Sequence, residues 1–435
     1  MPISKCLDLA ALRPSIPSVT ACILSLTVSA HSQTYQSPKF IGEDFDRVSL
    51  RHIVALDDGA LIVSGYAVKS NKVESIALKL GKNGDIIWQT GIGNGPWSSI
   101  ASLGNEIVTA TLEGRALAVR RLNDATGAVV WERNHDLSGE WTKTKHNDAL
   151  VKGMTITSAG DIMVLVDIEQ NTFFHAFRVI FLDAAGQLLW EITHGAIVAN
   201  NEDESKEPVA IAARPDGGVI VVGNTEGTRR ASDGWIMAFD KTGKTLWQNV
   251  WGNELSILNL FMPGQPDIRI KNIAAAPDGG AVVYAVSARA PKLSGKQIAN
   301  CTLSGSNECR RPSSGDLWLL RLDATGRVRW DRKDDKVEII SEDAIVALPD
   351  GSFALAAYHF KNGESRVSRL RHMGSEGTLL GEKRYGSPHG SSSINGLASL
   401  RDGSLGVVST IRKNDKDVGM IYRIPSTELP TGKPK

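Results

Sequence analysis

One phrase that sets a glycine four residues ahead of a tryptophan recurs five times in this chain of 435 residues: Gly84 and Trp88, Gly127 and Trp131, Gly186 and Trp190, Gly243 and Trp247, Gly326 and Trp330. The phrases around them are "GKNGDIIW", "NDATGAVVW", "DAAGQLLW", "DKTGKTLW" and "DATGRVRW". A sixth copy, "SEGTLLG", keeps Gly377 and has Gly381 where the tryptophan would be. A second phrase alternates with the first: "RPDGG" at 214, "APDGG" at 276 and "LPDGS" at 348, each followed by β-branched and small apolar residues. Both phrases suit hairpin turns in which glycine takes a positive φ that other residues resist. A unit recurring every ~50 residues cannot bury both faces of its sheet alone, so the units must stack on one another.

Each unit reads as four strands: one before Asp-Gly, one after it, one of the "GWIMAF" type, and one that follows the motif glycine and carries the tryptophan. Units of this kind start near residues 48, 96, 148, 207, 267, 338 and 390, the second being least regular, with "SLGNEI" in place of the Asp-Gly turn. The 42 glycines are spread along the chain, as many tight turns require. The expected fold is therefore all-β, a seven-bladed β-propeller of four-stranded antiparallel blades. The seventh unit supplies three strands, and "PKFIGEDFD" at 38–46 resembles the strand-four ends "EITHG" and "EKRYG". Residues 36–42 are accordingly expected to close the last blade as its outer strand, leaving no open seam.

The first 32 residues read as an export signal. Lys5 and Arg13 precede the short apolar run Val19 to Ala30, and Val28, Ala30 and Ser32 offer small residues for cleavage. Lipidation at Cys22 is the alternative, but the apolar run follows that cysteine rather than preceding it. With Cys6 and Cys22 in the signal, the remaining pair, Cys301 and Cys309, encloses "TLSGSNE" and suits one disulfide in an oxidising compartment. No histidine nearby would complete a zinc site there. The expected division is 1–32 signal peptide, 33–429 propeller and 430–435 C-terminal tail, the mature protein being periplasmic or extracellular, without a membrane span, and monomeric. A net charge of +1, from 49 Lys plus Arg against 48 Asp plus Glu, argues against nucleic acid as a partner.

"RLNDATGAVVW" resembles the tryptophan-docking motif of quinoprotein-like (PQQ-like) propellers, and the shorter "D-x-x-G-x-x-x-W" copies are similar to bacterial exported repeat propellers. The resemblance covers nearly all of the mature chain. It implies that Trp88, Trp131, Trp190, Trp247 and Trp330 pack against neighbouring blades near Gly84, Gly127, Gly186, Gly243 and Gly326. Quinone enzymes of that kind combine a calcium-coordinating carboxylate and amide set, a catalytic Asp and adjacent cysteines. This chain has no adjacent cysteines, so no cofactor and no metal are expected.

In a four-stranded meander the first and third turns share one end of the blade, and the second turn and inter-blade link share the other. The long segments all belong to the second class: 136–148 with Trp141, 194–207 with Glu202, Asp203 and Glu204, 252–267 with Phe261, and 288–315 with Cys301, Cys309, Arg310 and Arg311. Arg229 and Arg230 follow the second strand of the fourth unit. Long loops on one end of a rigid scaffold are the usual place for binding groups. These residues are therefore the expected binding face, for a protein or an envelope polymer. The alternative is an enzyme of glycans or other envelope substrates, built from loop His, Asp and Arg residues, among them His135, His146 and His194, near the central channel. The chain lacks Gly-x-Ser-x-Gly, a phosphate-binding glycine loop and a paired metal motif.

Overall fold

The computed structural model describes residues 38–42, 44–137, 148–171, 174–195, 205–225, 233–251, 266–289, 315–339, 344–359, 367–385, 392–413 and 415–431, all within the compact unit Thr34–Lys435. They form seven four-stranded antiparallel sheets. β1 is Lys39–Ile41. Blade one holds β2 (Arg47–Ala55), β3 (Leu61–Lys69), β4 (Lys72–Leu80) and β5 (Ile86–Asn94), and blade two β6 (Ser98–Leu103), β7 (Glu106–Glu113), β8 (Ala116–Leu122) and β9 (Val129–Asp136). Blade three holds β10 (Asp148–Ile156), β11 (Ile162–Asn171), β12 (Phe174–Leu182) and β13 (Leu188–Gly195), and blade four β14 (Lys206–Ala213), β15 (Val219–Thr225), β16 (Gly234–Phe239) and β17 (Thr245–Trp251). Blade five holds β18 (Pro266–Ala275), β19 (Ala281–Arg289), β20 (Gly315–Leu322) and β21 (Val328–Ile339), and blade six β22 (Ile345–Ala347), β23 (Phe353–His359), β24 (Val367–Met373) and β25 (Leu379–Tyr385).

Blade seven combines β26 (Ser392–Ser399), β27 (Leu405–Lys413) and β28 (Lys416–Ile424) with β1. Lys39 pairs with Ile421 and Ile41 with Gly419, so the N-terminal strand closes the ring as the repeat count requires. The sixth blade begins later than its sequence phrase suggests. β21 runs on to Ile339, twelve residues in all, so residue 338 belongs to the outer strand of blade five.

Second strands such as β11, β15 and β19 carry unbroken apolar runs, 162–166, 219–222 and 281–286, because each is buried on both sides. Along β15, Val219 and Val221 pack toward blade three while Ile220 and Val222 pack toward blade five. The core is thus seven wedges, one in each seam between neighbouring blades.

The turn motifs lock those wedges at one end of the ring. In four of the third turns an Asn or Asp side chain (Asn123, Asp183, Asp240, Asp323) accepts from backbone N–H groups two to four residues on, as Asp183 does from Ala185 and Gln187 at 2.9 and 2.8 Å. The motif glycines have positive φ, +71° at Gly127 and +82° at Gly326. The tryptophan of each preceding blade lies flat over that glycine. A Cβ on Gly127 would sit 2.6 Å from the Trp88 ring, and one on Gly326 2.5 Å from the Trp247 ring. Trp131, Trp190 and Trp330 meet Gly186, Gly243 and Gly377 in the same way. The indole N–H groups of Trp88, Trp190, Trp247 and Trp330 donate to carbonyls of the facing turn, at 2.8, 2.8, 3.0 and 3.1 Å.

Two seams are built without a tryptophan: β1, the outer strand of blade seven, carries none, and blade six replaces it with glycine. Gly381 holds the tryptophan position of blade six, and a Cβ there would lie 2.3 Å from the carbonyl carbon of Pro430. The chain after β28 makes a 3-10 turn, Ser426–Glu428, then buries Leu429 in the seam between blades six and seven. The Pro430 carbonyl faces His372 Nδ1 at 3.3 Å. Pro430 is itself buried, so the chain packs as part of the propeller up to that residue.

Candidate functional site

The innermost strands share a defect. In five of the seven blades, the pairing between the first and second strands slips by one residue: at Leu50/His52, Val151/Gly153, Pro208/Ala210, Ile270/Asn272 and Ile394/Gly396. Each slip is a β-bulge that leaves one residue without a partner on the second strand. Those residues are Arg51, Lys152, Val209, Lys271 and Asn395, and all five line a single central cavity. A bulge bends its strand and re-aims a side chain, so repeating it around a ring turns five side chains on one axis. In two of the five, close approach at the bulge also requires glycine on the second strand. A Cβ on Gly65, opposite Leu50, would lie 2.1 Å from the Ser49 carbonyl oxygen, and one on Gly223 would lie 2.2 Å from that of Glu207.

The cavity measures about 1050 Å³ and opens at the end of the ring that carries the second turns and inter-blade links. Its wall holds Arg47, Arg51, Lys152, Arg269 and Lys271 against two carboxylates, Glu207 and Asp417. Both carboxylates are engaged. Arg47 Nε donates to Asp417 at 2.9 Å. Lys152 Nζ lies 3.3 Å from Glu207 and 3.1 Å from Asp167, whose carboxylate is fully buried and also meets His175 Nδ1 at 3.1 Å. Burial opposes the charge on Lys152, but Asp167 and then Glu207 outweigh it and hold the ammonium above its ordinary pKa.

Arg51 is placed by aromatic rings instead. Its guanidinium carbon lies 4.6 Å from the Trp97 ring centre and 5.3 Å from that of Tyr66. Beside it His52 is lowered from 6.5 to about 4, by burial first and by the Arg51 charge second, so its imidazole is neutral at neutral pH. Arg269 Nε is buried without a hydrogen-bond partner among the described residues. Amides tie the bulges across the seams. Asn395 donates to the Leu50 carbonyl at 2.6 Å, and Asn224 exchanges two hydrogen bonds with the Ile270 backbone, at 3.0 and 2.7 Å.

The residues expected from sequence to form the binding face, Trp141, Glu202, Asp203, Glu204, Arg229, Arg230, Phe261, Arg310 and Arg311, lie outside the described residues, as do Cys301, Cys309 and His146. His135 and His194 are described, and they do not converge on the channel. His135 is on β9 and His194 on β13, both outer strands, and neither lines the cavity. The His194 ring stacks on Phe177 at 5.4 Å. Burial lowers the pKa of both histidines. The channel cations were not singled out from sequence. The available signal was a charged residue inside a strand that must be innermost, as in "RVSLRHIVA" and "DIRIKNIAA".

The donor set of a calcium-dependent quinone does not fit this channel. Its two carboxylates are held by cations, the chain has no adjacent cysteine pair, and no group of three His, Cys, Asp or Glu suited to a metal occurs among the described residues.

Seven antiparallel blades, five of their seams closed by a tryptophan on a glycine, define a PQQ-like propeller. Residues 81–332 match the PQQ_2 family, described as "Outer membrane protein assembly factor BamB", and the chain belongs to that family. No curated protein matches the chain. Among solved structures it is similar to the Dos1 propeller, with 11% identity and a TM-score of 0.49, covering 86% of this chain and 78% of that one. The Hadza microbial sialidase Hz136 is similar at 9% identity and a TM-score of 0.47, covering 83% and 76%. A catalytically inactive virginiamycin B lyase from Staphylococcus aureus is similar at 11% identity and a TM-score of 0.37, covering 90% and 89%.

Proposed function

We propose that this chain is a non-catalytic, exported propeller that binds a protein or an envelope polymer through the end of the ring that carries the long connections. The observation that supports the reading is the asymmetry of the two ends. At one end the first and third turns are short and held by backbone and Asp or Asn side-chain hydrogen bonds. At the other, the stretches 138–147, 196–204, 252–265 and 290–314 all leave from strand ends that surround the open channel mouth. A rigid scaffold that gathers its long connections around one opening is built for recognition. The family's description as an outer membrane protein assembly factor supports a protein partner in the envelope. The glycan-enzyme alternative would have to draw on groups other than His135 and His194, which stand off the channel wall.

Affinity capture from envelope extract tests this reading, using the tagged protein beside a variant with the Ala288 to Gly315 segment shortened. A protein or polymer retained by the intact form and lost by the shortened one is the expected result. Equal capture by both forms would remove that segment from the interface, and turnover of an envelope glycan by the purified protein would overturn the non-catalytic reading.

A further inference from the structure

We propose that the channel mouth is a binding site for a small carboxylated ligand of up to about disaccharide size, held by Arg51 and Arg269. This goes beyond the protein-binding role, because the site lies in the wall formed by the innermost strands and not in the long connections.

The argument begins with charge. Five cationic side chains and two carboxylates line the cavity, and the two carboxylates, together with Asp167 behind them, are already paired with Arg47 and Lys152. Arg51 and Arg269 face the same space with no carboxylate partner among the described residues. Charged side chains in a partly enclosed wall normally find counter-charge, so two unmatched guanidinium groups in one cavity mark the place of an anion.

Geometry narrows the class. Trp97 and Tyr66 hold the Arg51 guanidinium over their rings, and none of its N–H groups donates a hydrogen bond to a described residue, so its N–H edge is available to a ligand. That planar edge matches the two oxygens of a carboxylate. The bulge at Arg51 fixes the backbone from which the side chain leaves, and Asn395 of blade seven anchors the preceding carbonyl at Leu50. The guanidinium is therefore positioned in advance, which lowers the ordering cost of binding. The volume, about 1050 Å³, lies at the upper end of small-ligand cavities. Amide and hydroxyl groups of Asn272, Ser393 and Thr410 line the same space and suit a polar, hydroxylated body better than an apolar one.

Isothermal titration calorimetry at low salt tests the site with three probes: citrate, digalacturonate and neutral digalactose. The two acids should bind saturably and more weakly as salt is added, while the neutral sugar gives no heat of binding. Tighter binding of digalacturonate would identify the ligand as an acidic sugar, and tighter binding of citrate as a compact polyacid; either ranking supports the site. Arg51→Gln and Arg269→Gln should each weaken binding by at least about tenfold. Arg401→Gln, at the turn end of the ring, should leave it unchanged, since Arg401 pairs with Asp57 there at 2.7 Å. Thermal melts confirm folding of each variant. In the unaltered protein, the His52 imidazole resonances should move on adding the acid and stay still on adding digalactose. No saturable binding of either acid up to about 10 mM, or binding that survives both channel substitutions, would overturn the proposal.

Discussion

The two ends of this ring are built from the same strands and solve opposite problems. At the turn end, turn carboxylates bind the backbone of their own turns: Asp240 accepts from Thr242 and Lys244, and Asp323 from Thr325 and Arg327. Tryptophans stack on glycines of the next blade, so the seams have no slack. At the mouth the innermost strands are bulged, ladder pairing is interrupted, and cations stand on the wall. The contrast teaches that one end holds the ring together and the other is free to hold something else. Substitutions at the turn end should therefore cost stability and spare binding, and substitutions at the mouth should do the reverse.

The largest expected effect is at the turn end. Trp88 is 7% exposed, covers Gly127 and donates to the Asp124 carbonyl at 2.8 Å. Trp88→Ala should lower stability by about 3–5 kcal/mol, read by urea denaturation, with acid-probe affinity at the mouth unchanged. A loss of stability below about 1 kcal/mol would show that the seams do not depend on their tryptophans.

A pair of glycine substitutions separates backbone strain from seam packing. Gly127 and Gly351 both have positive φ, +71° and +82°. A Cβ at Gly351 meets nothing within 4 Å, while one at Gly127 would strike the Trp88 ring at 2.6 Å. Gly351→Ala should cost about 1–2 kcal/mol through the backbone alone. Gly127→Ala should cost a further ~1–3 kcal/mol from overpacking. Equal losses would mean that the indole yields freely.

The seam at Gly381 sharpens the comparison within the turn end. Ending the chain after Ile424 exposes Leu429's place in the wedge and should cost about 1.5–3 kcal/mol, seen as a lower midpoint of thermal unfolding. Gly381→Trp should be harmful in the full chain, where Pro430 occupies the site, and should recover part of the loss in the shortened one. Failure to recover would show that the C-terminal segment does more than stand in for an indole.

How much of this was legible in the sequence follows from the same division. The turn end is written in local signals, because an Asp-Gly turn or a glycine four residues before a tryptophan needs only neighbours in sequence, and seven repetitions average out the irregular "SLGNEI" copy. Ring closure by β1 was legible for a related reason, since counting strands left one missing. The mouth depends on register. Arg51 and Lys152 read as alternate positions of ordinary strands until Leu50 and Val151 are paired with Gly65 and Val166 and the extra residue appears. Sequence also gives no hint that Arg47 is answered by Asp417, 370 residues away, while Arg51 is answered by rings. The Pro430 contact was hidden likewise, because nothing near residue 430 refers to Gly381.

The smallest stability effect belongs to the mouth, and it carries the most information about the site. Arg51→Gln removes a cation–π contact and should change stability by only ~0.5–1 kcal/mol. Its clearer consequence is on His52, whose pKa is lowered to about 4 by burial and, second, by the Arg51 charge. Because the folded pKa lies below the ordinary 6.5, protons bind the unfolded chain first; stability from this group is complete above about pH 6.5, falls as the pH drops toward 4, and is flat below. Removing the Arg51 charge should move the His52 pKa upward in an NMR titration and shrink that acid-side loss. Burial, the larger cause, remains, so the value should stay below 6.5. An unmoved His52 would mean that the Arg51 charge is already screened within the channel, and the mouth would then resemble the turn end in having its charges satisfied.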